Sequence, residues 1–387
     1  MLKVLFKGPV LSNSGYGVHS RQIFESLCER KNIDLYVQVT QFGNVSWILK
    51  NEDYQDIIEK ILFYSKKKKI NIKFDEFYQV GLPPEWEKIA KINIGITAGF
   101  EANIVKKSWI NYVDLMDYVI VPSEFTKAAF VNTSKKMNKD INKKICVINE
   151  SYYKQFDKKD IKETFNLEKY LEYEKNILIF GQITSYNNES DRKNMLKTIN
   201  TALDFVENKK IGVVLKINIG KYTNLHKEEI INRINISFNK HKRRKLKLIF
   251  GNASISDLYS IYKCPKISCF LSGTRAEGWG LPFIESASCG LPIISTDYSS
   301  YKEFLEDDFL KIDFSLKVFK GDKNFIDDDE NPVWAEFCKE SMLKNIKEFF
   351  KNENKYKNIS KRRQEIIKHK FKFNKIKEKY FYFFENL

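Results

Sequence analysis

The chain has 387 residues, 43% of them hydrophobic and 30% charged, with 16 Gly and 8 Pro. That length suits two to three domains with cores of their own, and the composition excludes a disordered or fibrous protein. With 66 Lys and Arg against 50 Asp and Glu the net charge is +16, which favours anionic partners without deciding between them.

No apolar run approaches the ~18 residues that a membrane span needs. The first apolar stretch is cut by Lys7, Gly8 and Pro9 and followed by the turn residues Ser12, Asn13 and Gly15, which reads against a secretory leader. Cysteines at 28, 146, 264, 269, 289 and 338 form no CxxC, and the four His form neither HxxxH nor HExxH. Neither a disulfide framework nor a zinc site is expected, and the thiols read as reduced in a cytoplasmic protein. No zinc finger, RNA-recognition signature or basic heptad region points to nucleic acid.

In chain order, short apolar runs alternate with longer amphipathic stretches, without an internal repeat. The first part predicts strands at Leu2–Phe6, Ile33–Val39, Ile92–Ile96, Tyr118–Val121 and Ile145–Ile148, with helices over Gly17–Arg30, Tyr54–Tyr64 and Glu124–Val131. The second predicts strands at Asn176–Phe180, Val213–Ile219, Leu246–Phe250, Ile267–Leu271 and Leu291–Ser295. Its helices are expected over Arg192–Glu207, Lys227–Asn239, Ser256–Tyr262 and Pro282–Cys289. Strands alternating with helices predict parallel sheets flanked by helices, an α/β fold. The charged stretch Asp157–Lys175 separates two such series, so residues 1–150 and 151–370 read as two Rossmann-like domains with a cleft between them. Open α/β sheets take ligands at the carboxyl ends of their strands. The tail Trp334–Leu387 reads as helices with a turn near Phe371–Asn374, residues 371–387 forming a terminal helix whose aromatic end, Tyr380–Phe384, packs on the body.

Ser268–Asp297 is the most informative segment. A strand ends at Leu271, a loop carries Glu277, Gly278 and Gly280 permit close backbone approach, Pro282 suits a first helical turn, and Glu285 lies one turn in. The amides at that helix start make an anion site, so two carboxylates flank a spot where a phosphate or sugar could be held.

The run E-GWGLPFI-E, followed by SAS-CGLPII and Asp297, resembles the E-x7-E region of retaining GT-B glycosyltransferases of the glycogen-synthase and sucrose-synthase-like kind, family 4 especially. The resemblance implies that Glu277 lies against the donor sugar and Glu285 bonds the nucleotide ribose, while the amides of Gly278, Trp279, Gly280 and Leu281 contact sugar and diphosphate. Gly181 and Asp191-Arg192-Lys193-Asn194 resemble the family's basic segment, implying that Arg192 and Lys193 neutralise the diphosphate and the charge building on the leaving phosphate. Many relatives carry an Arg directly after the glycine; here it is Gln182. Near the N-terminus, Ser14-Gly15-Tyr16-Gly17-Val18-His19 resembles the family's loop near the donor phosphates and the acceptor, implying donor contacts at Gly15 and Gly17. A lone glycine loop would serve NAD as well, but it lacks GxGxxG spacing and an acidic residue ending the next strand. His19 reads equally as a site residue reaching in on the acceptor side and as an ordinary helix-surface His. Asp117-Tyr-Val-Ile-Val-Pro-Ser resembles the strand that closes the acceptor domain. The preceding Thr97–Glu101 lacks the family's cleft His, and Glu101 reads equally as its acceptor-side replacement and as an ordinary helix-start carboxylate.

The resemblance implies GT-B architecture, with the two domains facing across a cleft and the terminal helix packing back on the first. The activity implied is transfer of a sugar, with retention, from a UDP- or GDP-sugar to a hydroxyl of a glycan, lipid-linked glycan or protein, in cell-surface glycoconjugate synthesis. No cofactor and no metal are implied, since Arg, Lys and helix amides hold the diphosphate. The base pocket is expected near Gly251–Ser256, and Asp327–Glu330 reads as a solvated acidic loop and not as a metal site. Two alternatives remain: a nucleotide-sugar epimerase, against which the E-x7-E placement argues, and a non-catalytic glycan- or partner-binding subunit, which the missing His favours. Residues 341–387 hold 14 Lys/Arg against 5 Asp/Glu. With Lys66–Lys69 they leave peripheral contact at the inner membrane face open, a solvated surface being the simpler expectation.

Overall fold

The computed structural model describes residues 1–43, 45–49, 52–158, 161, 165–183, 189–218, 224–320, 327 and 330–387. Ile219, Asp328 and Asp329, on which expectations above also rest, lie outside them. The chain divides into two compact units, one of Met1–Ser151, Asn324–Pro332 and Phe371–Leu387, the other of Tyr152–Lys323 and Val333–Lys370.

The first unit runs β1 (Leu2–Gly8), α1 (Gly15–Glu29), β2 (Ile33–Val39), α2 (Gln55–Ser65), β3 (Phe74–Val80), β4 (Ala90–Ile96), α3 (Lys107–Leu115), β5 (Tyr118–Val121), α4 (Glu124–Lys136) and β6 (Ile145–Val147). Its strands form one parallel sheet in the order β2-β1-β3-β4-β5-β6. Val4, Phe6, Ile94, Ile96 and Val119–Val121 are buried in its core. Strand β3 and helix α3 were not predicted. In FDEFYQV the acids Asp75 and Glu76 break the apolar run, yet Glu76 is only 3% exposed because Arg30 pairs with it and the Tyr78 hydroxyl donates to it at 2.8 Å. A buried charge needs such a partner.

The second unit runs β7 (Asn176–Gly181), α5 (Met195–Val206), β8 (Gly212–Ile217), α6 (Asn224–Ser237), α7 (Lys240–Arg243), β9 (Leu246–Phe250), α8 (Ile255–Lys263), β10 (Ile267–Ser272) and α9 (Leu281–Ser288). There follow β11 (Ile293–Thr296), α10 (Lys302–Leu305), β12 (Leu310–Ile312), β13 (Phe314–Val318), β14 (Val333–Phe337), α11 (Lys339–Lys351) and α12 (Glu353–Lys370). The parallel sheet has the order β12-β11-β10-β7-β8-β9. Counted from β7 this is 3-2-1-4-5-6, the Rossmann order, whose switch point lies between the first and fourth strands. One face is covered by α5 and α11, with Ile199, Leu203, Met342 and Ile346 packed on Ile177, Val213 and Leu215.

Three expectations are corrected here. Residues Trp334–Phe337 are not helical: β14 pairs antiparallel with β13, an addition to the parallel sheets. Helix α5 starts at Met195, so Arg192 and Lys193 stand in the loop before it and not on the helix. The acidic run is not simply solvated, because Asp327 accepts from the Lys107 amide at 2.6 Å and Glu330, on a side chain 12% exposed, pairs with Lys107 and Lys136. The C-terminal helix α13 (Phe373–Glu385) belongs to the first unit and buries Ile376, Tyr380, Phe383 and Phe384 there. Among the described residues, no helix is long and apolar enough to cross a membrane.

Candidate functional site

At the switch point of the second sheet, β7 ends at Gly181 and β10 at Ser272. The segment after β7 carries Asp191–Asn194 and that after β10 carries Gly273–Gly280, so both issue from the strand ends where a Rossmann sheet takes its ligand. They are tied together. The Arg275 amide donates to the Arg192 carbonyl at 2.9 Å, and the Arg275 guanidinium donates to the Asp191 carbonyl at 2.6 Å. Asp191 accepts from the Met195 amide at 2.8 Å and so caps α5, while Asn194 adopts a left-handed backbone with φ 51°.

These ties bring three of the expected residues together. Lys193 Nζ lies 2.6 Å from each carboxylate oxygen of Glu277, and Arg192 donates to Glu277 at 3.2 Å and to the Ala276 carbonyl at 2.9 Å. The Thr274 hydroxyl adds a bond at 2.8 Å. The Glu277 side chain is 7% exposed and those of Lys193 and Arg192 17% and 21%, so the acid is buried and the cations are partly exposed. Burial pushes the Glu277 carboxyl up, but Lys193 and Arg192, with the bonds from Lys193 and Thr274, more than offset this and hold it below the usual carboxylate range. Behind it, Ser299 Oγ accepts from the Glu277 amide at 3.0 Å, and Ser300 Oγ donates to the Glu277 and Trp279 carbonyls. Ser299 has φ 79°. Two non-glycine residues in the left-handed region, Asn194 and Ser299, thus flank the cluster, a kind of strain that concentrates at functional sites.

The chain then turns into α9 at Gly280, where φ is 93° and a side chain would be strained. Trp279 is 3% exposed with its ring 4.8 Å from that of Phe304, so its indole faces the core. In the first turn of α9 Pro282 has no amide N–H and the Phe283 amide donates to the Gly280 carbonyl at 2.9 Å, so an anion favoured there by the helix dipole would meet the amides ahead of Pro282. Glu285, on α9, stands apart from the acid and cation cluster. It is 3% exposed and accepts from the Tyr262 hydroxyl of α8 at 3.0 Å. Burial raises its pKa to about 8, against a smaller lowering by Tyr262, so at neutral pH it is mostly protonated.

In the first unit, Gly15 is exposed and Gly17 buried. A methyl group on Gly17 would stand 1.9 Å from the Ser12 carbonyl oxygen, and the Gly17 amide already donates to Ser14 Oγ, the cap of α1, at 3.1 Å. Glycine at 17 is therefore required by the fold of its own loop, whatever the loop binds. His19 is not a helix-surface residue: it is 1% exposed, its Nε2 is 3.1 Å from the Tyr380 hydroxyl of α13, and its Nδ1 is 3.6 Å from Glu150. Burial lowers its pKa to about 3, so the ring is neutral. Glu101 is half-buried, on the segment that follows β4. Nearby, Tyr16 stacks on Phe42 and shares a 2.9 Å hydrogen bond with Thr97 Oγ1.

Sequence reasoning missed the residues that hold the cluster in place. Arg275, 5% exposed, pairs with Glu336 of β14 at 2.8 and 2.6 Å and lies over the Trp334 ring. Glu336 also pairs with Lys197 and accepts from Asn194 at 3.3 Å. The β13–β14 hairpin thereby braces the Asp191–Asn194 loop. Lys216, at the carboxyl end of β8 and 1% exposed, donates to Asn218 at 2.8 Å and to the Gly251 carbonyl. It ties β8 to the loop expected to hold the base, and burial lowers its pKa to about 8. A lysine inside an apolar strand was the signal available for it.

Residues 237–366 match the family described as Glycosyl transferases group 1. No curated protein sequence matches the chain. Among solved structures it is similar to HepE of Anabaena in complex with UDP and glucose, with a TM-score of 0.66 and 12% identity over 100% of both chains. It is also similar to sucrose-phosphate synthase of Thermosynechococcus elongatus, with a TM-score of 0.63 and 12% identity over 100% of this chain and 99% of that one. A glycosyltransferase of Rickettsia africae gives a TM-score of 0.63 and 13% identity, over 100% of this chain and 98% of that one. At such identities the likeness is one of fold, and the fold is the GT-B architecture. With the match over residues 237–366, it supports a GT-B glycosyltransferase.

Proposed function

We propose that the protein is a retaining, family 4-like glycosyltransferase. It moves a sugar from a UDP- or GDP-linked donor to a hydroxyl of a glycan, lipid-linked glycan or protein in cell-surface glycoconjugate synthesis. The observation that carries this reading is the Lys193–Glu277–Arg192 cluster ahead of α9, at the switch point of a Rossmann sheet. The Anabaena relative was solved with UDP-glucose as well as with UDP and glucose, which makes UDP-sugars the first donors to try.

In this reading the partly exposed Arg192 and Lys193 take the donor diphosphate, and Glu277 orients both cations and contacts the sugar. The bond between the sugar's anomeric carbon and the diphosphate oxygen breaks, its electron pair going to the leaving phosphate. The two fixed cations and the amides ahead of Pro282 stabilise the charge that grows there. The acceptor hydroxyl attacks from the face that the diphosphate leaves, and its proton passes to a phosphate oxygen, so no side-chain base and no metal are invoked. Glu285 takes the ribose. Since it holds a proton when empty, a ribose diol donating to its carboxylate would release that proton on binding. Acceptor-side contacts are assigned to the first unit around Glu101.

The test is release of UDP or GDP from a panel of nucleotide sugars without acceptor, with the anomeric form of the freed sugar followed by NMR. The expected result is slow hydrolysis with retention for at least one donor. Inversion would refute the stereochemical assignment, and the absence of any release would favour a binding subunit.

A further inference from the structure

On α2, Ile57, Ile58 and Ile61 are buried, and the helical period turns Glu59, Lys60 and Phe63 outward. Phe63 is 65% exposed and its neighbour Leu62 40%; Ile70, at the turn after the helix, is 81% exposed. Between them runs Lys66–Lys69, and residues 59–73 hold six lysines against the single acid Glu59. Lys67 is committed to Asp34 at 2.7 Å, and Lys69 to the Ser65 and Lys67 carbonyls. Lys60, Lys66, Lys68 and Lys73 are exposed.

Single exposed apolar side chains are ordinary on a protein surface. Three large ones within nine residues, wrapped around a lysine run, form an amphipathic surface of the kind that lies in a membrane interface. We propose that this face of the first unit docks on an anionic lipid bilayer. Leu62, Phe63 and Ile70 enter the boundary between headgroups and acyl chains, and the exposed lysines meet lipid phosphates. Lysine suits this place because its flexible stem lies along apolar surface while its ammonium group stays among polar groups. The larger basic excess of the tail lacks this pairing: of the α13 aromatics, Tyr380, Phe383 and Phe384 are buried and Tyr382, 72% exposed, is the one large apolar side chain of α13 turned to water.

The test is co-sedimentation of the full chain with vesicles of phosphatidylcholine alone and of phosphatidylcholine mixed with phosphatidylglycerol, for the wild type, F63S/I70S and K66E/K68E. Expected is binding to the anionic vesicles only, weakening as salt rises, and falling about tenfold or more in each variant, since each lysine near an anionic surface contributes roughly a fivefold gain. Circular dichroism and melting point should not change; if one variant fails that control, the other carries the test. No binding to anionic vesicles, or binding that both variants keep, would overturn the proposal. So would lipid-free self-association, or capture of an acidic polypeptide in place of lipid, that F63S/I70S abolishes.

Discussion

Lys193 reaches both carboxylate oxygens of Glu277 at the same 2.6 Å, so one ammonium group bridges the acid symmetrically. The cations hold the carboxyl ionised against burial, and the carboxylate in turn holds both cations in place. An arriving anion finds the positive charge already oriented, which is what preorganised electrostatic stabilisation requires.

Lys193→Ala therefore does two separable things. On the proposed reaction it should lose leaving-group stabilisation, typically ~10²–10³ in rate for one such contact. The buried Glu277 also loses its main cation, which costs up to about 3 kcal/mol, the low end for breaking a buried pair because Lys193 is partly exposed. The double variant K193A/E277Q should regain much of the stability but none of the rate. Urea midpoints and donor hydrolysis on the two singles and the double check both halves.

Glu336→Gln should weaken the site without touching it. The variant leaves Arg275 buried with a poorer partner and loosens the Asp191–Asn194 loop. Burial pushes the Glu336 carboxyl up, but Lys197 and Arg275 more than offset this and hold it below its ordinary 4.5. Its contribution is thus present above about 4.5 and lost as pH falls through the lowered value. Acid unfolding followed by circular dichroism should begin at higher pH in the variant, with turnover falling more than nucleoside affinity.

Glu285 has the opposite sign. In the folded protein its pKa is about 8 against an ordinary 4.5, so between those values the fold holds a proton that the unfolded chain has released. Stability should fall as pH rises through that window, by about 1.4 kcal/mol per pH unit from this group, and level off above it. Glu285→Gln, which mimics the protonated acid, should flatten that slope in urea midpoints measured across the window. If the ribose draws off the proton, donor affinity in the wild type should climb over the same range and in E285Q should not.

The two glycines of the N-terminal loop should separate cleanly. Gly17→Ala drives a methyl group into the Ser12 carbonyl and should lower the melting point strongly, as a backbone clash that no side-chain rotamer can relieve. Gly15→Ala, at an exposed helix start, should be close to neutral or slightly stabilising. Thermal denaturation of the pair decides it.

Much of the second unit was legible because its strands are buried on both faces and read as unbroken apolar runs, as in Ile177–Ile179 and Cys269–Leu271. Glu277, Arg192 and Lys193 were found because short motifs carry them. Strand β3 was not, since the charge of the buried Glu76 is met by Arg30, 46 residues away in sequence. The β13–β14 hairpin and the Arg275–Glu336 pair escaped for the same reason: the partners are 61 residues apart, and nothing local marks either as buried. His19 read equally as a site residue and as surface because its helix was read without α13, whose Tyr380 covers it.

In the proposed reaction Arg192 and Lys193, oriented by Glu277, hold the donor diphosphate. Calorimetric titration of the wild type and of R192A/K193A with UDP or GDP, and with the matching nucleoside, tests it most directly. Expected is a wild type that prefers the diphosphate strongly and a variant that binds diphosphate and nucleoside about equally. A wild type without that preference, or a variant that keeps it, would remove Arg192 and Lys193 from the diphosphate site.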